Sequence, residues 1–279
     1  MAMRKKIMKE RLSTLIEKYS SRDVVSKLEL QFKSLQKYEI DPELIHDIPV
    51  LKEVTIRNDQ LRDMLEHLGS KGLINPLVLR ETNGQYQIIL GRKNWYATKL
   101  LKFKKVPVVV TRMNEEEMLL VLLASLREEA VQNTIAIALV CQALIDDYHY
   151  RQVALAKIMH YSRSQVSNIL RLLKLPLFTR KLINAQTITY GHAKILVSLD
   201  HDVIDTLVMR LIQEKLSVRE FEQLVKRHKP IVVSPVDEHT LEKKYKSTIT
   251  TTKKSIRFAF ETSDELIAFV QSLGHKHEE

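Results

Sequence analysis

The stretch Gln152-Val-Ala-Leu-Ala-Lys-Ile-Met-His-Tyr-Ser-Arg-Ser-Gln-Val-Ser-Asn-Ile-Leu-Arg171 decides the fold, because it asks for two short helices crossing steeply about a tight turn. Such a crossing needs a small residue at the closest approach and apolar residues at set positions around it. Ala156 is the small residue, and Val153, Ile158, Val166 and Ile169 supply the apolar plug. Ser162 is placed to cap the second helix, and Gln165 three residues later completes a Ser-x-x-Gln capping box. His160 holds the turn position, where a left-handed conformation is expected; histidine enters it more readily than most non-glycine residues. The second helix then turns Arg163, Ser164, Gln165, Ser167, Asn168 and Arg171 outward. Arginine can bond guanine bidentately, and glutamine and asparagine can do the same with adenine. Serine and a helix N-terminus suit phosphate oxygens. A hairpin with a merely solvated polar face could use the same residues. Solvated faces usually mix charge signs, however, and no acidic residue occurs from Tyr148 to Leu199. The coincidence favours a DNA-reading helix-turn-helix.

Outward from this element, the chain of 279 residues has room for two or three small domains. Six glycines and 6% aromatics favour a helix-rich chain over a sandwich or a doubly wound sheet. A net charge of +10 favours polyanionic partners, nucleic acid or an anionic membrane surface, without choosing between them. The single cysteine, Cys141, excludes an internal disulfide and a cysteine-cluster metal site; within the apolar run 135–145 it reads as a buried helical thiol. No signal-like apolar stretch opens the chain, and Met118–Leu123 falls short of the roughly 20 residues a bilayer demands, so a cytoplasmic protein is expected.

The whole reads as a mostly helical α+β chain. Residues 1–25 form a basic arm, with Lys5, Lys6, Lys9 and Arg11 set among apolar residues at helical spacing. Such a helix packs on its own protein or meets a partner or membrane surface. Residues 26–113 read as a small mixed α/β domain. Leu28, Leu30 and Phe32 alternate like a strand, Leu61–Leu68 marks a helix, and Leu77–Arg80 with Tyr86–Leu90 forms a hairpin across Asn83-Gly84. A helix over Trp95–Leu101 and a strand over Val106–Val110 complete it. Residues 114–228 read as an all-helical domain carrying the helix-turn-helix, and 229–243 as a linker with two prolines. In 244–279, Ile256, Phe258 and Phe260 alternate as a strand, while Thr262 and Glu265 make a capping box for a helix bearing Leu266, Ile267, Val270 and Leu273. A ββα unit of this size cannot bury a stable core alone, so it is expected to dimerise.

These residues resemble the ParB family. The run Ser162-Arg-Ser-Gln-Val-Ser-Asn-Ile-Leu-Arg-Leu-Leu-Lys-Leu-Pro176 is similar to its helix-turn-helix pattern. Gly72–Arg80 resembles its glycine loop and strand, Gly91–Val108 its G-E-R-R box and the following strand, and Ile188–Lys194 its G-H-A-R helix. The resemblance implies a dimeric clamp that binds a palindromic, centromere-like DNA site and works with a ParA-type ATPase. It implies that the basic arm stimulates this ATPase. It also makes His192 and Lys194 candidate DNA contacts, although His192 taken alone reads as a satisfied local histidine.

The same resemblance implies cytidine triphosphate with Mg²⁺ in the N-terminal domain, and there the chain departs from the pattern. Gly91-Arg92-Lys93-Asn94 stands for G-E-R-R, and Ala124-Ser125-Leu126-Arg127 for E-N-x-x-R. A triphosphate-bound Mg²⁺ wants oxygen ligands that Arg92 and Ala124 do not offer. Gly72, Asn75, Gly91, Lys93 and Arg127 remain as an anion site, and no catalytic residue, metal ligand or nucleotide cofactor is expected. An enzyme of the sulfiredoxin-like or nuclease kind would need a cysteine or clustered carboxylates in that box. Other DNA-binding roles, transcriptional regulation or nucleoid occlusion with the arm on a membrane, share the reader. Truncation after Lys243 is expected to turn a dimer into a mostly monomeric protein with weaker palindrome binding. Light scattering at low micromolar concentration checks this, and an intact truncated dimer refutes the role given to the tail.

Overall fold

A computed structural model describes residues 2–129, 132–228, 248–251, 256–260, 262 and 265. The chain divides into two compact units, Met1–Gln223 and Leu224–Glu279. The first is mostly helical with a small mixed sheet, the helix-rich build that the composition favours.

Two helices open it, α1 (Ala2–Tyr19) and α2 (Val24–Lys33). The strand expected over residues 28–32 is therefore a helix. Val24, Val25, Leu28 and Phe32 are buried at helical spacing, whereas Leu30 is 66% exposed. The alternation at 28, 30 and 32 shares two of its positions with an i, i+4 stripe, and the valines upstream extend the stripe. Helix α1 lies along helices α5 (Glu115–Glu128) and α7 (Gln152–Met159). Its Leu12, Leu15 and Ile16 are half-buried and Tyr19 is buried.

The sheet runs β1-β5-β3-β4-β2, with β1 Lys37–Ile40, β2 Ile45–His46, β3 Leu77–Thr82, β4 Gln85–Leu90 and β5 Val106–Thr111. β3 and β4 form the expected hairpin, Leu79 facing Ile88 and Thr82 facing Gln85. Asn83 (φ 51°) and Gly84 (φ 75°) take the left-handed turn that suits a right-handed strand twist. β5 joins β3 in parallel, Leu79 facing Val110. Helices α3 (Asn58–Lys71) and α4 (Arg92–Leu100) contact each other; α4 also packs on β3 and β4, and the indole of Trp95 donates to the Pro42 carbonyl at 2.9 Å.

The helical part is built around α5 and α6 (Thr134–Asp146). Met118 to Ala124 are all buried, as are Ile135 to Ala138, Val140, Cys141 and Leu144. The apolar run 118–123 thus closes on protein from every side. Asn114 and Glu117 cap α5 reciprocally, with three glutamates in its first turn facing the positive end of the helix dipole. α7, α8 (Arg163–Arg171) and α9 (Leu177–Asn184) pack on this pair, and α10 (Tyr190–Leu196), α11 (His201–Gln213) and α12 (Val218–His228) follow in the chain. Among the described residues no helix is long and apolar enough to cross a membrane.

In the second unit, β6 (Thr248–Thr251) and β7 (Ile256–Ala259) pair antiparallel, Ile249 facing Phe258. Thr262 and Glu265 exchange the expected capping bonds. The linker 229–243 and the expected helix with Leu266, Ile267, Val270 and Leu273 lie outside the described residues.

The plug of the helix-turn-helix differs from the expected set at one position. Val153 is 62% exposed, while Leu155, Ala156, Ile158 and Met159 are buried with Val166 and Ile169. At about 100° per residue, 155, 156, 158 and 159 share one face of α7 and position 153 falls opposite it. Leu155→Ala is expected to lower stability by about 2–5 kcal/mol, and Val153→Ala by no more than about 0.5 kcal/mol. Chemical denaturation of both variants checks the assignment, which equal losses would overturn.

Candidate nucleic-acid interface

Local chemistry shapes the turn between α7 and α8. His160 adopts φ 55° and ψ 36°, the expected left-handed conformation, and its backbone N–H closes α7. Ser162 then starts α8 with both capping-box bonds in place. Its Oγ accepts from the Gln165 N–H at 3.2 Å, and its own N–H donates to Gln165 Oε1 at 2.7 Å. Behind the turn, α6 and the short helical segment Leu172–Lys174 close the small core against α8.

On the outer side, Ser162, Arg163, Ser164, Gln165 and Arg171 are exposed, and Ser167 and Asn168 are half-buried. Neither Arg163 nor Arg171 enters an ion pair among the described residues. Their charge therefore remains available to an anionic surface. Gln165 is less open than its position suggests, because its amide oxygen already serves the cap. A bidentate adenine contact would have to share that oxygen's second lone pair, while the amide nitrogen stays the freer group.

Lys194 is exposed on α10, but His192 is not a surface residue. It is 7% exposed, its Nδ1 meets Thr189 Oγ1 at 3.0 Å, and its ring packs edge-on against Phe221 at 5.8 Å. This corrects its candidacy as a DNA contact: it shapes α10 from within. Gly191 is required beside it, since a Cβ there would meet Val218 Cγ2 at 2.9 Å.

The residues proposed for an anion do not come together. A cleft of about 580 Å³ opens beside the start of α4, lined by Gly91, Arg92, Lys93, Ser125, Glu129 and Asn133 among others. Gly91, at φ 89° with a Cβ position only 2.8 Å from Leu77 Cδ2, must be glycine. Gly72 and Asn75 are not part of the lining. Arg92 is bound on both sides: Nε to Asp47 Oδ1 at 2.7 Å, a terminal nitrogen to Oδ2 at 2.6 Å, and the same nitrogen to the Val54 carbonyl at 2.8 Å. Lys93 is paired with Glu129 at 3.0 Å. Arg127 turns away altogether and donates to the carbonyls of Ile158 at 2.6 Å, Ser21 at 2.9 Å and Tyr19 at 3.3 Å. The cations that would face a triphosphate are thus committed to partners within the chain, and the position beside Gly91 carries a guanidinium where a metal needs oxygen. The residues present do not fit cytidine triphosphate with Mg²⁺.

Sequence reasoning missed these partners. Asp47 lies 45 residues from Arg92, and Tyr19 lies 108 from Arg127. It also missed Glu116, which receives Arg11 at 2.9 Å and the Tyr150 hydroxyl at 3.0 Å; burial first, and this carboxylate after it, push the Tyr150 phenol above its usual range. Lys5, Lys6 and Lys9 precede Arg11 on α1. Cys141 is buried as expected, and burial pushes its thiol up to about 12.

A capped recognition helix with unpaired cations, beside a small mixed sheet, is the build of a helix-turn-helix DNA-binding protein. Comparison with known proteins agrees: residues 4–126 match the ParB N-terminal domain and residues 132–230 the ParB HTH domain. A probable chromosome-partitioning protein ParB of Campylobacter jejuni is 32% identical over 219 residues, 78% of this chain and 77% of that one. A probable chromosome-partitioning protein ParB of Helicobacter pylori is 32% identical over 171 residues; the match spans 61% of this chain but 59% of that protein. A C-terminally truncated ParB of Caulobacter crescentus, solved in complex with the centromeric parS site, aligns at 25% identity over 68% of this chain and 99% of that one, with a TM-score of 0.41. The chain belongs to the ParB family.

Titration of the protein with cytidine triphosphate, with and without Mg²⁺ and DNA, is expected to give no micromolar binding by calorimetry. Metal-dependent micromolar binding would show that the cleft exchanges its internal ion pairs for the ligand.

Proposed function

We propose that the protein binds a palindromic, centromere-like DNA site as a homodimer and works with a ParA-type ATPase in chromosome or plasmid segregation. The observation that carries this reading is α8: a helix with its N-terminus capped, its apolar side buried and its outer side bearing Arg163 and Arg171 without acidic neighbours. Such a helix fits the major groove, with Arg163 reaching a base edge and Ser162, Ser164 and the helix N-terminus meeting phosphate oxygens. Lys194 on α10 adds a second cation for the backbone. A two-fold dimer through the ββα tail matches two such helices to a palindrome. The named relatives, chromosome-partitioning proteins, support the same role.

The basic arm is the surface assigned to the ATPase. Its apolar residues Leu12, Leu15, Ile16 and Tyr19 turn toward α5 and α7, which favours a protein partner gripping its cationic side over insertion into a bilayer. The protein is then a nucleoid-associated one of the cytoplasm.

A duplex selected by the protein from a randomised palindromic library is expected to bind far better than bulk DNA, with affinity falling steeply as salt rises. Arg163→Ala should weaken that duplex by about 1–3 kcal/mol. Gln165→Ala should weaken it too, but with a loss of thermal stability of about 1 kcal/mol, because the Ser162 N–H loses its side-chain acceptor. Electrophoretic titration and melting curves separate the two effects, and unchanged binding by Arg163→Ala removes α8 as the reader.

A further inference from the structure

Four backbone carbonyls converge on two side chains beside the helix-turn-helix. Helix α1 ends at Tyr19, and the carbonyls of Tyr19, Ser20 and Ser21 follow from its last turn. Helix α7 ends at Met159, so the Ile158 carbonyl also has no acceptor role within its own helix. Arg127 donates to Tyr19, Ser21 and Ile158, and His160 places Nε2 at 2.7 Å from the Ser20 carbonyl. The Arg127 side chain is only 7% exposed, and Glu128 at 2.9 Å balances its charge. The residue at the reader's turn and the end of the N-terminal helix are thus tied through the same cluster.

We propose that Arg127 and His160 are positioning residues for DNA reading: they fasten the turn of the helix-turn-helix to the C-terminal end of α1, so docking of the arm helps to set the recognition helix. The inference rests on α8 being the DNA reader and adds what holds it. The two short helices of the reader share a small core, and a small core resists rotation of one helix against the other poorly. A guanidinium holding the end of α7 and an imidazole holding the turn remove that freedom from outside. Coupling of this kind is reciprocal, so DNA that fits α8 must also tighten α1 on the protein.

The full-length protein tests this with His160→Gly, which keeps the left-handed turn while removing only the tether, and with Arg127→Gln. Both are expected to lose about tenfold in affinity for the duplex selected from the palindromic library, within the usual span of site-to-site coupling, and nothing in affinity for bulk DNA. In the unaltered protein, hydrogen exchange of the amides in residues 10–19 should slow on adding the selected duplex and not on adding bulk DNA. His160→Gly should abolish that slowing, which a merely stabilising role for the histidine would leave in place. Selected-duplex binding by His160→Gly equal to that of the unaltered protein overturns the proposal, as does exchange in 10–19 that ignores the duplex. Arg163→Ala serves as the control: if it also binds normally, the assignment of α8 has failed, and if it alone weakens, only the tether has.

Discussion

Two helices end on one guanidinium. Arg127 takes the carbonyl that ends α1 and one in the last turn of α7 at once, and the helix that carries it, α5, runs through the middle of the helical core. Helix ends leave their carbonyls without internal partners, and they concentrate partial negative charge there. A buried cation answers both needs, provided its own charge is balanced, as Glu128 does here. Each carbonyl left unpaired in such a place would cost about 1–3 kcal/mol. The N-terminal helix, the core helix α5 and the first helix of the reader are tied together at these groups.

Polar ties of the same kind join the sheet part of the first unit to its helices. Arg180 on α9 meets Glu53 at 2.8 Å, and the Asn184 amide donates to the Thr55 carbonyl at 2.9 Å. Asn133, which caps α6, donates in turn to Asn184 at 2.5 Å. Together with Arg92 on Asp47, they bind the segment 47–55 from both sides. Long-range polar pairs hold geometry more than they add stability, since exposed or half-exposed ion pairs contribute about 0–1 kcal/mol each.

Signals that depend on near neighbours were legible in the sequence. The capping box at Ser162, the left-handed His160, the Asn83-Gly84 turn and the buried Cys141 each follow from residues within a few positions. Errors arose where two periods coincide or where a side must be chosen. Leu28 and Phe32 satisfy a strand and a helix alike, and Val153 is apolar but falls on the outer side of α7. The candidate anion residues failed for another reason. Lys93 and Arg127 keep the charge such a site would want, yet their charge is consumed by Glu129 and by carbonyls far along the chain. Sequence reports what a residue can do, and only the fold reports what already occupies it.

The pairing of Arg92 with Asp47 also bears on ancestry. Suppose a glutamate once stood beside Gly91, as the family pattern has it. Restoring it by one substitution would set a carboxylate against Asp47 and the Val54 carbonyl, where a guanidinium now satisfies both. Like charges at that distance repel, so the single reversion is disfavoured before any metal could reward it. What either of positions 92 and 47 can carry thus depends on the charge of the other. A carboxylate at position 92 therefore calls for a second change, at position 47, before it stops facing a like charge.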